Sequence, residues 1–258
     1  MQPSVVELNL VQFGMVYLLL LVVLAIMKKC NINRTKLLVV ASIRMTLQLI
    51  LAGLVLTYIF TNPHPALTFM YIAAMCGFAI HRVISQHKNI NRRFKIAIAL
   101  SLIGAGVSIL IFFVGVVVGV NLFDPQYTIP LGGMILGNAM TGMNLGMKTF
   151  TERIRDQRNK IGVLLNLGVH PRKILLPLVN SALETALLPT LNSMLGMGII
   201  ALPGLMTGQI LSGTLPSTAI LYQIAIMVAI CTVVSLSVFC MLYFGARSLY
   251  NDRNQIAF

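Results

Sequence analysis

The sequence predicts an all-α integral membrane protein of about seven transmembrane helices, near 20 residues each, with its N-terminus outside and its C-terminus cytoplasmic. Three observations predict it. Hydrophobic residues make up 57% of the 258-residue chain and only 10% are charged. Soluble domains carry roughly a quarter charged residues, so lipid must cover most of this surface. Long uncharged or nearly uncharged runs recur along the chain, and basic residues fall between them at every second connection.

The runs occupy residues 8–27, 37–60, 66–85, 96–120, 128–147, 182–206 and 219–246. Each is long enough to cross about 30 Å of hydrocarbon. Helices are the expected form, because lipid gives the backbone no hydrogen-bond partner, and the alternation of a membrane barrel is absent. The first run has no basic segment before it and no small-residue cleavage site, so it reads as a retained span. His81 and Arg82 fall within the third run; Arg82 can snorkel from its end.

Lys28, Lys29, Arg34 and Lys36 follow the first run. Arg82, Lys88, Arg92, Arg93 and Lys95 follow the third. Lys148, Arg153, Arg155, Arg158, Lys160, Arg172 and Lys173 follow the fifth, and Arg247 and Arg253 the seventh. The remaining connections hold no Lys or Arg, so the odd-numbered ones are expected to face the cytoplasm. The exception is Arg44, inside the second run. It is either a snorkelling arginine or a charge turned toward the bundle, and Glu184 in the sixth run is its candidate partner.

Residues 148–179 form the only large piece expected in the cytoplasm. Ile154, Ile161, Leu164 and Leu165 recur at helical spacing among charges, then Gly168 offers a C-cap and Pro171 a new helix start. The pattern predicts a helix, a tight turn and a second helix re-entering the membrane, with Gly168, His170, Pro171 and Arg172 at the elbow. Such an elbow suits docking to a cytoplasmic partner or, more plainly, a basic helix lying at lipid headgroups.

The stretch after Pro189 is unusual for a span. It holds Asn192, Ser193, Pro203, Gly204, Thr207, Gly208 and Gln209 without a charge. Broken helices at membrane depth line cavities or are buried in protein, and they mark transport sites. Residues 202–218 are expected to form a re-entrant or outer-leaflet turn, the alternative being an exposed loop. The fifth run carries Asn138 and two GxxxG pairs, Gly133/Gly137 and Gly142/Gly146, which let helices approach closely. Met140, Met143 and Met147 share one face there, as gap-fillers or soft-metal ligands.

A net charge of +13 invites a nucleic-acid reading. The charges cluster between apolar runs and there is no Trp to stack on bases, so no nucleic-acid partner is expected. Cys30, Cys76, Cys231 and Cys240 form no CxxC pair. Residues 142–149 lack the adjacent Gly-Lys of a phosphate-binding loop, so no ATPase and no cofactor is expected on this chain. Glu7, Asp124 and Glu184 are the only carboxylates near membrane depth, few for a proton-coupled carrier.

Several stretches together resemble one family. These are Ile129-Pro-Leu-Gly-Gly-Met-Ile-Leu-Gly-Asn138, Leu167-Gly-x-x-Pro-Arg172, Pro189-Thr-Leu-Asn-Ser-Met194, residues 202–213, Tyr222-Gln-Ile and Arg44-x-x-x-Gln48-Leu. They are similar to the FetB-type permeases, membrane subunits of an ABC-type exporter implicated in iron export, and to plant aluminium-tolerance proteins. The resemblance implies one permease domain over residues 1–258 in the cell inner membrane, working as a homodimer with a cytoplasmic ABC ATPase that binds ATP-Mg. It implies that residues 168–172 are the coupling surface. The elbow is only loosely similar to the coupling motif of ABC importers, with Gly162-Val-Leu replacing the acidic-Ala-Ala start. The alternatives are a permease for a lipid or small amphiphile and a membrane scaffold or sensor. The spans hold no cluster of His, Cys or carboxylates for a bare ferrous ion, and Asn138, Asn192, Ser193 and Gln209 offer neutral ligands.

Overall fold

The computed structural model describes residues 9–87 and 90–250. The expected first-run start at Leu8, together with Glu7, Lys88 and Arg253, lies outside the described residues. The described residues form helices and no strand. They divide into two compact units: residues up to Asn62 with Leu211–Thr214, and the rest.

The first unit is a helical hairpin, α1 (Leu10–Lys29) and α2 (Thr35–Thr61). Asn31 in the turn takes a left-handed backbone (φ 52°), a conformation that asparagine tolerates better than most residues. The Thr46 hydroxyl donates to the Ser42 carbonyl at 3.0 Å, so the Tyr17 hydroxyl is the donor in its short bond to Thr46. Much of the exposed surface along the two helices is aliphatic: Leu18, Leu19, Leu21, Leu49, Leu51 and Leu54 all lie open. Such a surface is stable only in lipid or against protein.

The second unit is a bundle of α3 (Pro65–Gln86), α4 (Arg92–Phe112), α5 (Pro125–Asp156), α6 (Arg158–Asn166), α7 (Pro171–Gly196), α8 (Gly204–Leu211) and α9 (Pro216–Arg247). A π-helical turn, Phe113–Val118, ends α4 and is closed by Gly119 at φ 74°. Helix α5 sits among α3, α4, α7 and α9. Asp124 caps it by accepting from the Gln126 N–H, and Pro125 occupies its first position, where no N–H is needed. Its core face, including Ile135, Ala139, Met143 and Phe150, is fully enclosed.

Close approach explains the second glycine pair. A Cβ on Gly142 would lie 2.6 Å from Val234 Cγ1, and one on Gly146 would lie 2.9 Å from Val238 Cγ1. Helices α5 and α9 therefore touch backbone to side chain, as small-residue pairs permit. In the first pair only Gly133 is approached, where a Cβ would lie 3.2 Å from Met75 Cε of α3; a Cβ on Gly137 would meet nothing within 4 Å. The methionine face is core: Met143 and Met147 are buried and Met140 packs against the same cluster.

Seven long helices occupy the expected runs, and six of them are long and apolar enough to cross a membrane. The helix outside that six is α5. Its glycines, threonines and asparagines lower its hydropathy, and its last turns carry Lys148, Glu152, Arg153, Arg155 and Asp156. It continues unbroken to Asp156, so the separate elbow helix is only α6 and the connection shrinks to residues 157–170. Helix α7 starts at Pro171, the helix start expected at the elbow, carries Arg172 and Lys173 in its first turn and continues without a break into the uncharged run that begins at 182. Glu184 is thus exposed about 20 Å along the helix, at 1.5 Å per residue. Arg44 is exposed on α2. The stretch after Pro189 stays helical to Gly196, then breaks before α8.

Candidate functional site: a donor-lined cavity and a basic elbow

A cavity of about 330 Å³ opens between α5, α7, α9 and the α7–α8 connection. From the sequence-predicted set it gathers Asn138, Pro189, Ser193 and Pro203. Asn192, Gly204, Thr207, Gly208 and Gln209 do not line it. Helical geometry separates the first of these. Pro189, Thr190, Ser193 and Met197 recur on one side of α7 and its end, and Asn192 is turned about 100° away from Ser193. Thr207 spends its hydroxyl on the Pro203 carbonyl at 3.1 Å.

Local backbone rules shape the wall. Pro189 has no N–H to give to the carbonyl four residues back, which weakens α7 where it passes the cavity. The connection beyond α7 turns tightly. Gly198 sits at φ 78° and donates its N–H to the Ala201 carbonyl at 3.1 Å, next to the pairing of Met197 with Ala201. That turn leaves Met197 and Pro203 on the cavity and Ile199 and Ile200 almost fully exposed.

The chemistry of the lining is neutral. Asn138 donates its amide to the Met134 carbonyl at 2.8 Å. Thr190 and Gln223 are buried. Gln223 is 5% exposed, its Nε2 lies 3.8 Å from the Met197 sulfur, and its Oε1 has no hydrogen-bond partner. A buried amide oxygen left unpaired costs about 1–3 kcal/mol, so a water, an ion or a ligand in the cavity would be stabilised by pairing with it. Met134, Met197 and Met227 complete the donor set with thioethers. Thioether sulfurs suit soft cations, and the carboxamide oxygens are hard donors that magnesium and calcium also accept, so any preference for a soft ion rests on the methionines. Among the described residues, no three His, Cys, Asp or Glu side chains gather into a metal-holding group.

Gln223 and the three methionines were not read as site residues from the sequence. Gln223 nevertheless gives a signal: it is the sole carboxamide in the uncharged run 219–246. The methionines give none, since methionine is common as core filler.

The second feature lies at the start of α7. Leu167 ends α6 and Gly168 follows at φ 78°. The Val169 N–H donates to the Leu164 carbonyl and the Gly168 N–H to the Leu165 carbonyl, both at 3.0 Å. These two bonds are the Schellman arrangement, which wants glycine at the left-handed position. His170 then caps α7, its Nδ1 accepting from the Arg172 N–H at 3.2 Å, with Pro171 buried at the first position. The elbow is thus rigid. It brings together all four predicted residues and adds Tyr243 from the end of α9 and Tyr250 just beyond it. Arg172 Nη2 donates to Tyr243 Oη at 2.8 Å, and the His170 ring meets the Tyr250 ring edge-on at 6.0 Å. Leu167 and Val163 remain exposed on the outer surface of the turn.

Helices α7 and α9 each reach from elbow to cavity. Pro171 to Pro189 is 18 residues, about 27 Å; Tyr243 to Gln223 is about 30 Å. The two helices pack against each other over this distance, so elbow and cavity belong to one α7–α9 pair.

Residues 10–250 match the model of the family described as "Uncharacterised protein family (UPF0014)". The chain is 32% identical over 213 residues to the "Probable iron export permease protein FetB" of Escherichia coli (strain K12), covering 83% of this chain and 81% of that protein. It is 32% identical over 261 residues to "UPF0014 membrane protein slr1647" of Synechocystis sp. (strain ATCC 27184 / PCC 6803 / Kazusa), 99% of each. It is 37% identical over 187 residues to "Protein ALUMINUM SENSITIVE 3" of Arabidopsis thaliana, 71% of this chain and 66% of that one. No solved structure matches the chain. With its apolar helices and these relatives, the chain is a multi-pass membrane protein that belongs to the UPF0014 family.

Proposed function

We propose that this chain is the membrane-spanning subunit of an ABC-type exporter of iron or another metal ion. It works as a homodimer, driven by ATP-Mg on a separate cytoplasmic ATPase subunit. The carrying observation is the cavity itself: a buried, unpaired Gln223 oxygen among thioether and carboxamide donors, joined by α7 and α9 to a basic elbow. The name of the Escherichia coli relative supports the substrate class. The elbow, with exposed Val163 and Leu167 beside basic residues, has the character of a docking surface for the ATPase. Nucleotide-driven movement there would rock α7 and α9 and open the cavity to alternate sides. With neutral donors only, a divalent ion would keep waters or a counter-anion as it passes, because burying it bare is too costly.

The test is metal flux in proteoliposomes holding both subunits. ATP-dependent iron movement that falls with Gln223→Leu supports the proposal. Absence of ATP-dependent flux for every first-row metal, with an assembled complex, sinks it.

A further inference from the structure

A second concavity, of about 760 Å³, runs between α4 and α9. Its floor is made of small residues on one face of α4, Ala97, Ser101, Gly104 and Ser108, facing Leu236 and Phe244 of α9. A Cβ built on Gly104 meets nothing within 4 Å, so the trough is open along its middle. From Arg93 to Ser108 it is about 22 Å long at 1.5 Å per residue, more than the depth of one leaflet. Two arginines close one end. Arg93 is in the first turn of α4 and Arg247 in the last turn of α9. Both line the trough and both are exposed. Among the described residues no carboxylate lies within ion-pair distance of either guanidinium. The cavity at Gln223 lies elsewhere and shares no lining residue with this groove.

An apolar trough with two exposed guanidiniums at one end, neither paired with a carboxylate among the described residues, fits an amphiphile with an acyl chain and an anionic head. We propose that the α4–α9 groove binds an anionic phospholipid, with a chain along Gly104 and the phosphate between Arg93 and Arg247. Guanidiniums suit phosphate because their forked donors pair two oxygens at once. Basic recesses between spans on the side of the basic loops are known to hold anionic headgroups. A second copy of the chain is a poorer occupant. A two-fold contact through this groove would set the same two arginines of each copy against each other, and like charges oppose that.

The experiment uses the full chain, purified in detergent and then placed in nanodiscs or analysed by native mass spectrometry. The probes are phosphatidylglycerol and phosphatidylcholine of identical chains. Phosphatidylglycerol should be retained at least about tenfold better than phosphatidylcholine, and Arg93→Gln with Arg247→Gln should remove that preference. Gly104→Leu, which fills the trough and leaves charge alone, should weaken retention of both lipids. A control pair, Arg153→Gln with Arg155→Gln, removes equal charge from the end of α5 and should leave the preference intact. Equal retention of both lipids by the wild type overturns the proposal. So does loss of the preference in the control pair, which would make the effect general surface charge. Leu100→Cys, on the groove wall, tests the rival: efficient disulfide linkage between two copies in liposomes would also overturn it.

Discussion

Arg172, in the first turn of α7, donates to the hydroxyl of Tyr243, in the last two turns of α9, at 2.8 Å. Its guanidinium carbon is 5.6 Å from the same ring's centroid. One side chain thus ties together the two helices that reach the cavity. Tyr243→Phe keeps the ring and removes the acceptor, at an expected loss of about 1 kcal/mol or less for this exposed bond. Arg172→Glu reverses the elbow's charge and should abolish co-purification with the ATPase and its coupled hydrolysis. An intact, coupled complex carrying Arg172→Glu would remove the elbow from the docking surface.

Gly168 holds a left-handed backbone that a β-carbon disfavours. Gly168→Ala should lower stability by about 1 kcal/mol, and Gly168→Val by more, while Gly168→Asn is better tolerated. Thermal unfolding in detergent, compared across the three variants, checks the order Asn, Ala, Val.

The two glycine pairs of α5 should separate cleanly. Gly142→Ala drives a methyl into Val234 and should cost about 1–3 kcal/mol, recovered in part by Val234→Ala. Gly137→Ala meets nothing and should be neutral or slightly stabilising, since alanine favours helix by up to about 1 kcal/mol. Equal effects at both positions would contradict the α5–α9 packing.

In the cavity, Gln223→Leu removes a buried oxygen that has no partner. It should leave stability unchanged or improved while lowering metal flux several-fold, which is the reverse of what a structural glutamine would do. Met134→Leu, Met197→Leu and Met227→Leu combined keep volume but remove the thioethers. They should narrow the preference for transition metals over magnesium, read as a ratio of fluxes.

His87 sits just past α3, its Nε2 buried without a partner. Burial pushes the imidazole below its ordinary value, opposed in part by the nearby Asn144 backbone. The folded chain therefore prefers the neutral ring. The unfolded chain protonates near its usual value of about 6.5. Stability is accordingly full above that pH and declines as pH falls from there toward the lowered folded value. His87→Gln should flatten the fall in melting temperature between about pH 7 and pH 5. A slope unchanged by the substitution would assign the acid sensitivity to other groups.

Hydropathy and the placement of lysines and arginines determined the helical, membrane-bound class, the long runs and the existence of an elbow. Those are properties of each segment alone: a run of about 20 apolar residues has no other stable home, and Gly168-Val-His-Pro171 stops one helix and starts another by backbone rules. Composition also marked Asn138, Pro189, Ser193 and Pro203, because polar or helix-breaking residues at membrane depth are rare. Only the tertiary structure decided which polar residues share a cavity. Asn192 is one residue from Ser193 and turned away from it, while Gln223 and Met134, remote in sequence, line the same cavity. It also decided that Met143 fills the core while Met197 lines the site, and that Gly142 is a contact while Gly137 is not. Such distinctions depend on which face of a helix meets which neighbour, and that is set by packing among α5, α7 and α9 and not by any one of them.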